Sequence, residues 1–279
     1  MATRKKTAAK PSTAVAKRDP KSGAVALPHD YGNDAGTGLD LSIDDLLIPF
    51  VKLLQNDSKQ CCKGDENHID GAEAGMIANT ATAALFDAEE GMLVVPSARR
   101  RMFVEWQPNQ GGFVGEHDPR SKTVMAALAS GAKKSELKTE AGNDLQETFS
   151  VWGIVLNDAR EPIGYCVVPF TSSKIKPYRS YWTQIDAAKV CKGAPIFANV
   201  MRITSRFVAD HPSGKKFHNY VVKPADGSVL ESMLAPDDPA YVAARDLREA
   251  IQQGRAKADQ NTAEREGGGG GEDGSDEHF

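Results

Sequence analysis

Apolar residues fall into short blocks separated by turn residues, and most blocks alternate with a period of two, as strands do. The first is Leu41 to Leu54, LSIDDLLIPFVKLL. Ser42 and Asp45 have the spacing of a capping box, and Pro49 forbids a continuous helix. A short helical turn followed by a strand from Phe50 to Leu54 is expected. Gly91 to Trp106, GMLVVPSARRRMFVEW, reads as two strands around a Pro-Ser-Ala break. Gln107 to Gly115 is a loop whose Gly111-Gly112 pair lets the backbone bend and presents Phe113. Ser121 to Lys138 has helical character but contains Gly131, which predicts a short or broken helix. Thr148 to Leu156 is apolar on both faces and predicts a central strand with Trp152 in the core. After a turn at Asn157 to Pro162, Gly164 to Phe170 completes a hairpin. In Phe197 to Val208, Met201, Ile203 and Phe207 alternate with Arg202, Thr204 and Arg206, a half-buried strand with two arginines on its outer face. Asp210 to Gly214 turns the chain, and Lys215 to Lys223 returns as a second hairpin. Asp238 and Pro239 supply an N-cap and an N1 proline for a helix to about Gln253, lined by Ala240, Ala244, Leu247 and Ile251.

Five to seven strands in hairpins, one inserted helix and one C-terminal helix make a mainly β fold with flanking helices. A small Greek-key β-barrel of the OB type fits that count. Residues 1–39 are Lys-, Ala-, Ser- and Gly-rich without periodic apolar positions, and read as a disordered basic arm and linker. The barrel domain is expected over 40–235 and the helix over 236–256. Residues 257–279 read as a flexible acidic tail, in which five glycines (Gly267 to Gly271) precede EDGSDEHF.

The net charge of −4 conceals a strong asymmetry. Residues 1–22 carry +6 and residues 23–98 carry −10. Residues 99–223 hold nineteen Lys/Arg against eleven Asp/Glu, or +8, whereas 264–279 carry −5. A basic middle between acidic flanks points to a polyanionic partner. No apolar run has the length of a membrane span, and the N-terminus lacks the apolar stretch of a secretory signal. Four cysteines without a CxxC suggest a reducing cytosol, so a cytoplasmic protein is expected.

Phosphate-loop, dinucleotide, nucleophile-elbow and HExxH motifs are all missing, so no enzyme, cofactor or metal is expected. Cys61-Cys62 with His68 raises zinc, but adjacent cysteines chelate a single metal poorly. The acids Asp57, Asp65, Glu66, Asp70 and Glu73 could hold magnesium for a metal-dependent nuclease, a reading of a different class. Binding of single strands needs cations to follow phosphates and aromatic faces on which bases stack. The basic middle offers Arg99, Arg100 and Arg101, leading to Trp106 and Phe113. It offers Lys174, Lys176 and Arg179, interleaved with Tyr178, Tyr181 and Trp182. Arg202, Arg206, Lys215 and Lys216 lie along the second hairpin. Trp152, Phe207 and Phe149 are assigned to the core.

On these residues the chain resembles phage-type single-stranded DNA-binding proteins, which join an OB barrel and an extra helix to an acidic tail containing Phe. The tail EDGSDEHF carries the likeness, although it lacks a Pro before Phe and places His278 between the last acid and Phe279. A second resemblance, over roughly residues 40–225, is to phage-encoded proteins with the core IPFVKLLQNDS…GMLVVPSARRRMFVEWQP…GGFVGEH, often grouped with replication genes. The first resemblance implies sequence-independent binding and protection of single-stranded DNA in phage replication or recombination. It also implies that Asp273, Asp276, Glu277 and Phe279 recruit partners such as a polymerase or a helicase–primase, and that the tail competes with DNA. A homodimer is compatible with it, and a membrane role is not. The same basic surface would also suit a strand-annealing recombination protein, and a virion or scaffold component would need no nucleic-acid role at all.

Overall fold

The structure, a computed structural model, describes residues 42–108, 112–188, 193–211 and 214–259. The basic arm and linker expected over 1–39 lie outside the described residues, as does the acidic tail expected over 257–279, except that Lys257 and Ala258 form a short strand. The expected capping box is present: the Ser42 side chain accepts from a backbone amide, and Asp45 accepts from the Ser42 amide at 3.0 Å. The turn ends at Asp45, the chain is extended from Leu46, and β1 (Leu47–Ile48) and β2 (Val51–Leu53) lie on either side of Pro49. Strands β3 (Ile77–Asn79) and β4 (Ala84–Phe86) join β2 in a small antiparallel sheet.

The main sheet is built on β5 (Met92–Trp106), which is fifteen residues long. The expected break at Pro-Ser-Ala is instead a β-bulge between Pro96 and Ala98. Pro96 has no N–H for the ladder, and a bulge accommodates that loss without ending the strand. Opposite it stands Gly153, where any Cβ would approach the Val95 carbonyl to 2.5 Å. The partners are β6 (Phe113–His117), β7 (Asp144–Leu156), β8 (Pro162–Thr171), β9 (Met201–Val208) and β10 (Phe217–Pro224). Their order is β10-β9-β5-β7-β8, with β6 on the far end of β5, and all pairs are antiparallel. Among the described residues none of the sheets closes on itself, so the expected OB-type barrel is corrected to an open main sheet with smaller sheets beside it. The edges are covered by single contacts. Phe50 bridges Val167 on β8, and the Gln55 side chain both donates to and accepts from the His218 backbone on β10. A two-residue β11 (Lys257–Ala258) runs parallel to β1.

Both faces of the main sheet are covered. On one, Met92, Val94, Val151, Phe170 and Ile203 pack with the small sheet and α2 (Ile175–Ala187). On the other, Leu93, Val95, Trp152 and Ile154 pack against α3 (Pro239–Gln252). Ala240, Ala244, Leu247 and Ile251 of α3 are buried as expected, and Asp238 caps it by accepting from the Ala240 amide at 2.7 Å. At the far end of β5 and β7, the short helix α1 (Lys122–Ala129) covers Phe103 and Leu145 with Val124 and Ala127. Gly131, at φ 76°, stops that helix. Among the described residues no helix is long and apolar enough to cross a membrane.

Candidate nucleic-acid interface

The bulge in β5 decides which arginines share a face. Before it, even-numbered residues (Met92, Val94) face α2 and odd ones (Leu93, Val95) face α3. The extra residue shifts the alternation by one, so Ala98 joins the α3 side. Arg99 and Arg101 therefore lie on the α2 side, and Arg100 lies on the other, over the Trp152 ring at 4.7 Å.

The segment Thr171 to Trp182, rich in charged and hydroxylic residues, contains the start of α2. Ile175, Tyr178, Tyr181 and Ile185 recur at helical spacing, and Pro177 sits in the first turn, where its missing N–H costs nothing. Tyr178, Tyr181 and Ile185 are buried by this helix, while Lys176 and Arg179 stay exposed. Trp182 is half-buried at the rim.

These two elements bring a group together. The Arg99 guanidinium lies over the Trp182 ring, 4.2 Å from its centroid. Phe149 of β7 packs on Tyr178 at 5.0 Å and is approached by Arg101 at 5.7 Å and Arg179 at 5.5 Å. Arg101 also reaches over Phe103, at 5.9 Å, which α1 covers. Arg101 thus stands on the sheet between α1 and α2. Its Nε donates to Glu147 at 2.7 Å, and the Glu147 side chain is only 7% exposed, so one cation of the group is already neutralised. Burial raises the Tyr178 phenol above its ordinary value, and the Arg99 and Arg179 charges partly oppose that. A cleft of about 390 Å³ opens beside the stack, lined by Arg99, Trp182, Asp186, Asn199 and their apolar neighbours.

Other expected contacts lie elsewhere. Trp106 is buried and meets Phe113 edge-on at 6.0 Å, so its face is not a stacking surface. Lys174 is buried with its ammonium over Tyr220 at 5.2 Å, and Tyr178 and Tyr181 are core side chains rather than exposed platforms. These corrections share a cause: neighbouring rings take up the surface that a base would need. Arg202 donates to the Glu90 carbonyl at 2.7 Å. Arg206, Lys215 and Lys216 are exposed at the outer end of the β9–β10 hairpin. Phe207, expected in the core, is 52% exposed and lies beside His218, because β9 runs past the part of the sheet that β2–β4 and α2 cover. The residues that sequence reasoning missed are Phe149 and Glu147. Both alternate with Thr148 and Ser150 on β7, and only the partner strand reveals that their side faces Arg101.

The acids of 57–73 do not converge: among the described residues no three His, Cys, Asp or Glu side chains are placed to share a metal ion. The partner-binding residues Asp273, Asp276, Glu277 and Phe279 lie outside the described residues. No curated protein and no solved structure matches the chain. Residues 19–257 match the family described as Pam3 phage gp34-like protein, a span that includes both hairpins, α2 and α3, and the chain belongs to this phage-associated family.

Proposed function

We propose that the chain binds single-stranded DNA without sequence preference, in phage DNA replication or recombination. The observation that carries this reading is the stack of Arg99 on Trp182 beside Arg101, Arg179 and Phe149, on one face of the sheet between α1 and α2. Arg99 covers Trp182, so a base meets the outer face of the guanidinium and extends the stack, while its phosphate meets Arg179 or Lys176. Stacking of this kind is sequence-tolerant because every base has a π-face, and each stacked base contributes about 1–3 kcal/mol. A duplex keeps its bases paired and offers no free face to such a stack. In the same reading the acidic tail recruits replication or recombination proteins and competes with DNA for the basic surface. The protein binds and protects, and carries out no chemical step.

Mobility shifts of single-stranded and duplex oligonucleotides at two salt concentrations test the reading. Single strands should bind tighter than duplex, affinity should fall steeply with salt, and Trp182→Ala and Arg99→Ala should each weaken binding. Equal affinity for duplex, or a flat salt dependence, would overturn it.

A further inference from the structure

Helix α1, KTVMAALA, is apolar beyond the side it buries. Val124 and Ala127 enter the cluster around Phe103, whereas Met125 is 55% and Leu128 39% exposed. Three residues apart, those two are neighbours on one helical face, and Ala126 and Ala129 are exposed beside them. Cations stand at both ends of the helix. Arg120 and Lys122 precede the apolar face, Lys133 and Lys134 follow it, and all four are exposed. Among the described residues none of these four has an ion-pair partner, in contrast to Lys138, which pairs with Asp144 at 3.3 Å. Glu136 is the one acid between Arg120 and Lys138. An apolar centre with a basic rim fits an acidic peptide bearing a hydrophobic anchor.

The chain contains such a peptide. Glu272 to Phe279, EDGSDEHF, has four carboxylate side chains and one large apolar side chain. We propose that the exposed face of α1 is the docking site of this chain's own Glu272–Phe279 segment. Phe279 seats on Met125 and Leu128, and Glu272, Asp273, Asp276 and Glu277 face the four cations. Chain length permits it. The last described residue, Asp259, is held by its amide to the Ile48 carbonyl at 2.8 Å, and Ile48 packs with Leu93 and Val95 near the start of β5. Helix α1 covers Phe103, ten residues along β5 from Leu93, or about 35 Å away at about 3.4 Å per residue. Twenty further residues span up to about 70 Å when extended. The docking stands independently of the nucleic-acid reading. If both hold, the docked carboxylates lie at the Arg101 end of the basic group and oppose a nucleic-acid strand there.

The test uses the full chain with a photo-reactive benzoylphenylalanine in place of Phe279, irradiated and then digested with trypsin. The expected product joins residue 279 to the peptide Thr123–Lys133 of the same chain. Met125→Glu/Leu128→Glu, at two exposed positions that leave the fold intact, should lower its yield about tenfold, the effect of losing one apolar anchor. Cross-links to α2 or to the β9–β10 hairpin instead would overturn the proposal. So would cross-links found only between isotopically distinct copies, which would assign the site to a second chain. Co-sedimentation with phosphatidylserine vesicles that the double variant abolishes, without the cross-link, would assign the face to a lipid surface and also overturn it.

Discussion

Glu147→Gln should tighten binding to single-stranded DNA. In the native protein the buried Glu147 carboxylate partly neutralises Arg101. Glutamine keeps the shape of that side chain and removes its charge, so the Arg101 guanidinium becomes free to meet a phosphate. On single strands each phosphate contact adds about 0.7 to the steepness of log K against log salt. One added contact is therefore worth about fivefold in affinity near 0.1 M salt, and the gain vanishes towards 1 M. The substitution also has a cost, because Arg101 is 48% exposed and a half-exposed ion pair contributes about 0.5–1 kcal/mol to stability. Fluorescence anisotropy with a labelled oligothymidylate, titrated between about 0.05 and 0.5 M salt, measures both affinity and slope. Urea denaturation of the same variant measures the stability loss. Arg101→Ala in the Glu147→Gln background should remove the gain. An unchanged affinity and slope in Glu147→Gln would mean that strands do not pass Arg101, and the interface between α1 and α2 would be refuted.

Other consequences follow from particular contacts. Burial by itself would raise the Glu105 carboxyl, but hydrogen bonds from Asn143 at 2.7 Å and His117 at 2.6 Å outweigh it and hold Glu105 below its ordinary value. Its folded pKa is thus depressed, so its stabilisation is complete above the unfolded value of roughly 4.3 and is lost as pH falls through the folded one. Glu105→Gln should flatten the acid limb of a plot of melting temperature against pH in that window, and an unaltered limb would exclude the effect. Gly91 has φ 72°, and a Cβ there would run into the Ile203 carbonyl. Gly91→Ala should therefore destabilise by about 2–4 kcal/mol in denaturant titration, and a loss below about 1 kcal/mol would count against the packing of β9 on the start of β5. Burial pushes the Cys166 thiol up to about 12, whereas Cys62 is exposed. In native protein Cys62 should react with a thiol reagent within minutes and Cys166 only at the rate of unfolding, a contrast that mass spectrometry of the labelled peptides would check.

The sequence by itself determined most of the strands. Alternation imprints the pleat of a half-buried strand and made β9 legible, while continuous apolar runs between turn residues made β7 and β8 legible; β10, α3 with its Asp238 cap and the turn begun by Ser42 were legible too. Helix α2 was legible in principle, since Ile175, Tyr178, Tyr181 and Ile185 keep helical spacing, but the interleaved cations drew the reading to base stacking and left the segment without an assigned element. Phe207 alternates like a core residue, and only the reach of β9 beyond its cover leaves it exposed. Barrel or open sheet could not be read locally, because closure depends on whether distant edges such as β8 and β10 meet. The same limit applied to the site. Three consecutive arginines in the sequence form one basic cluster, yet one extra residue at Pro96-Ser-Ala turns Arg99 and Arg101 towards α2 and Arg100 towards α3. Which aromatics they then meet, Trp182 and Phe149 on one side and Trp152 on the other, was decided by tertiary structure, because a bulge acts on every side chain beyond it and its partners come from strands and helices far along the chain.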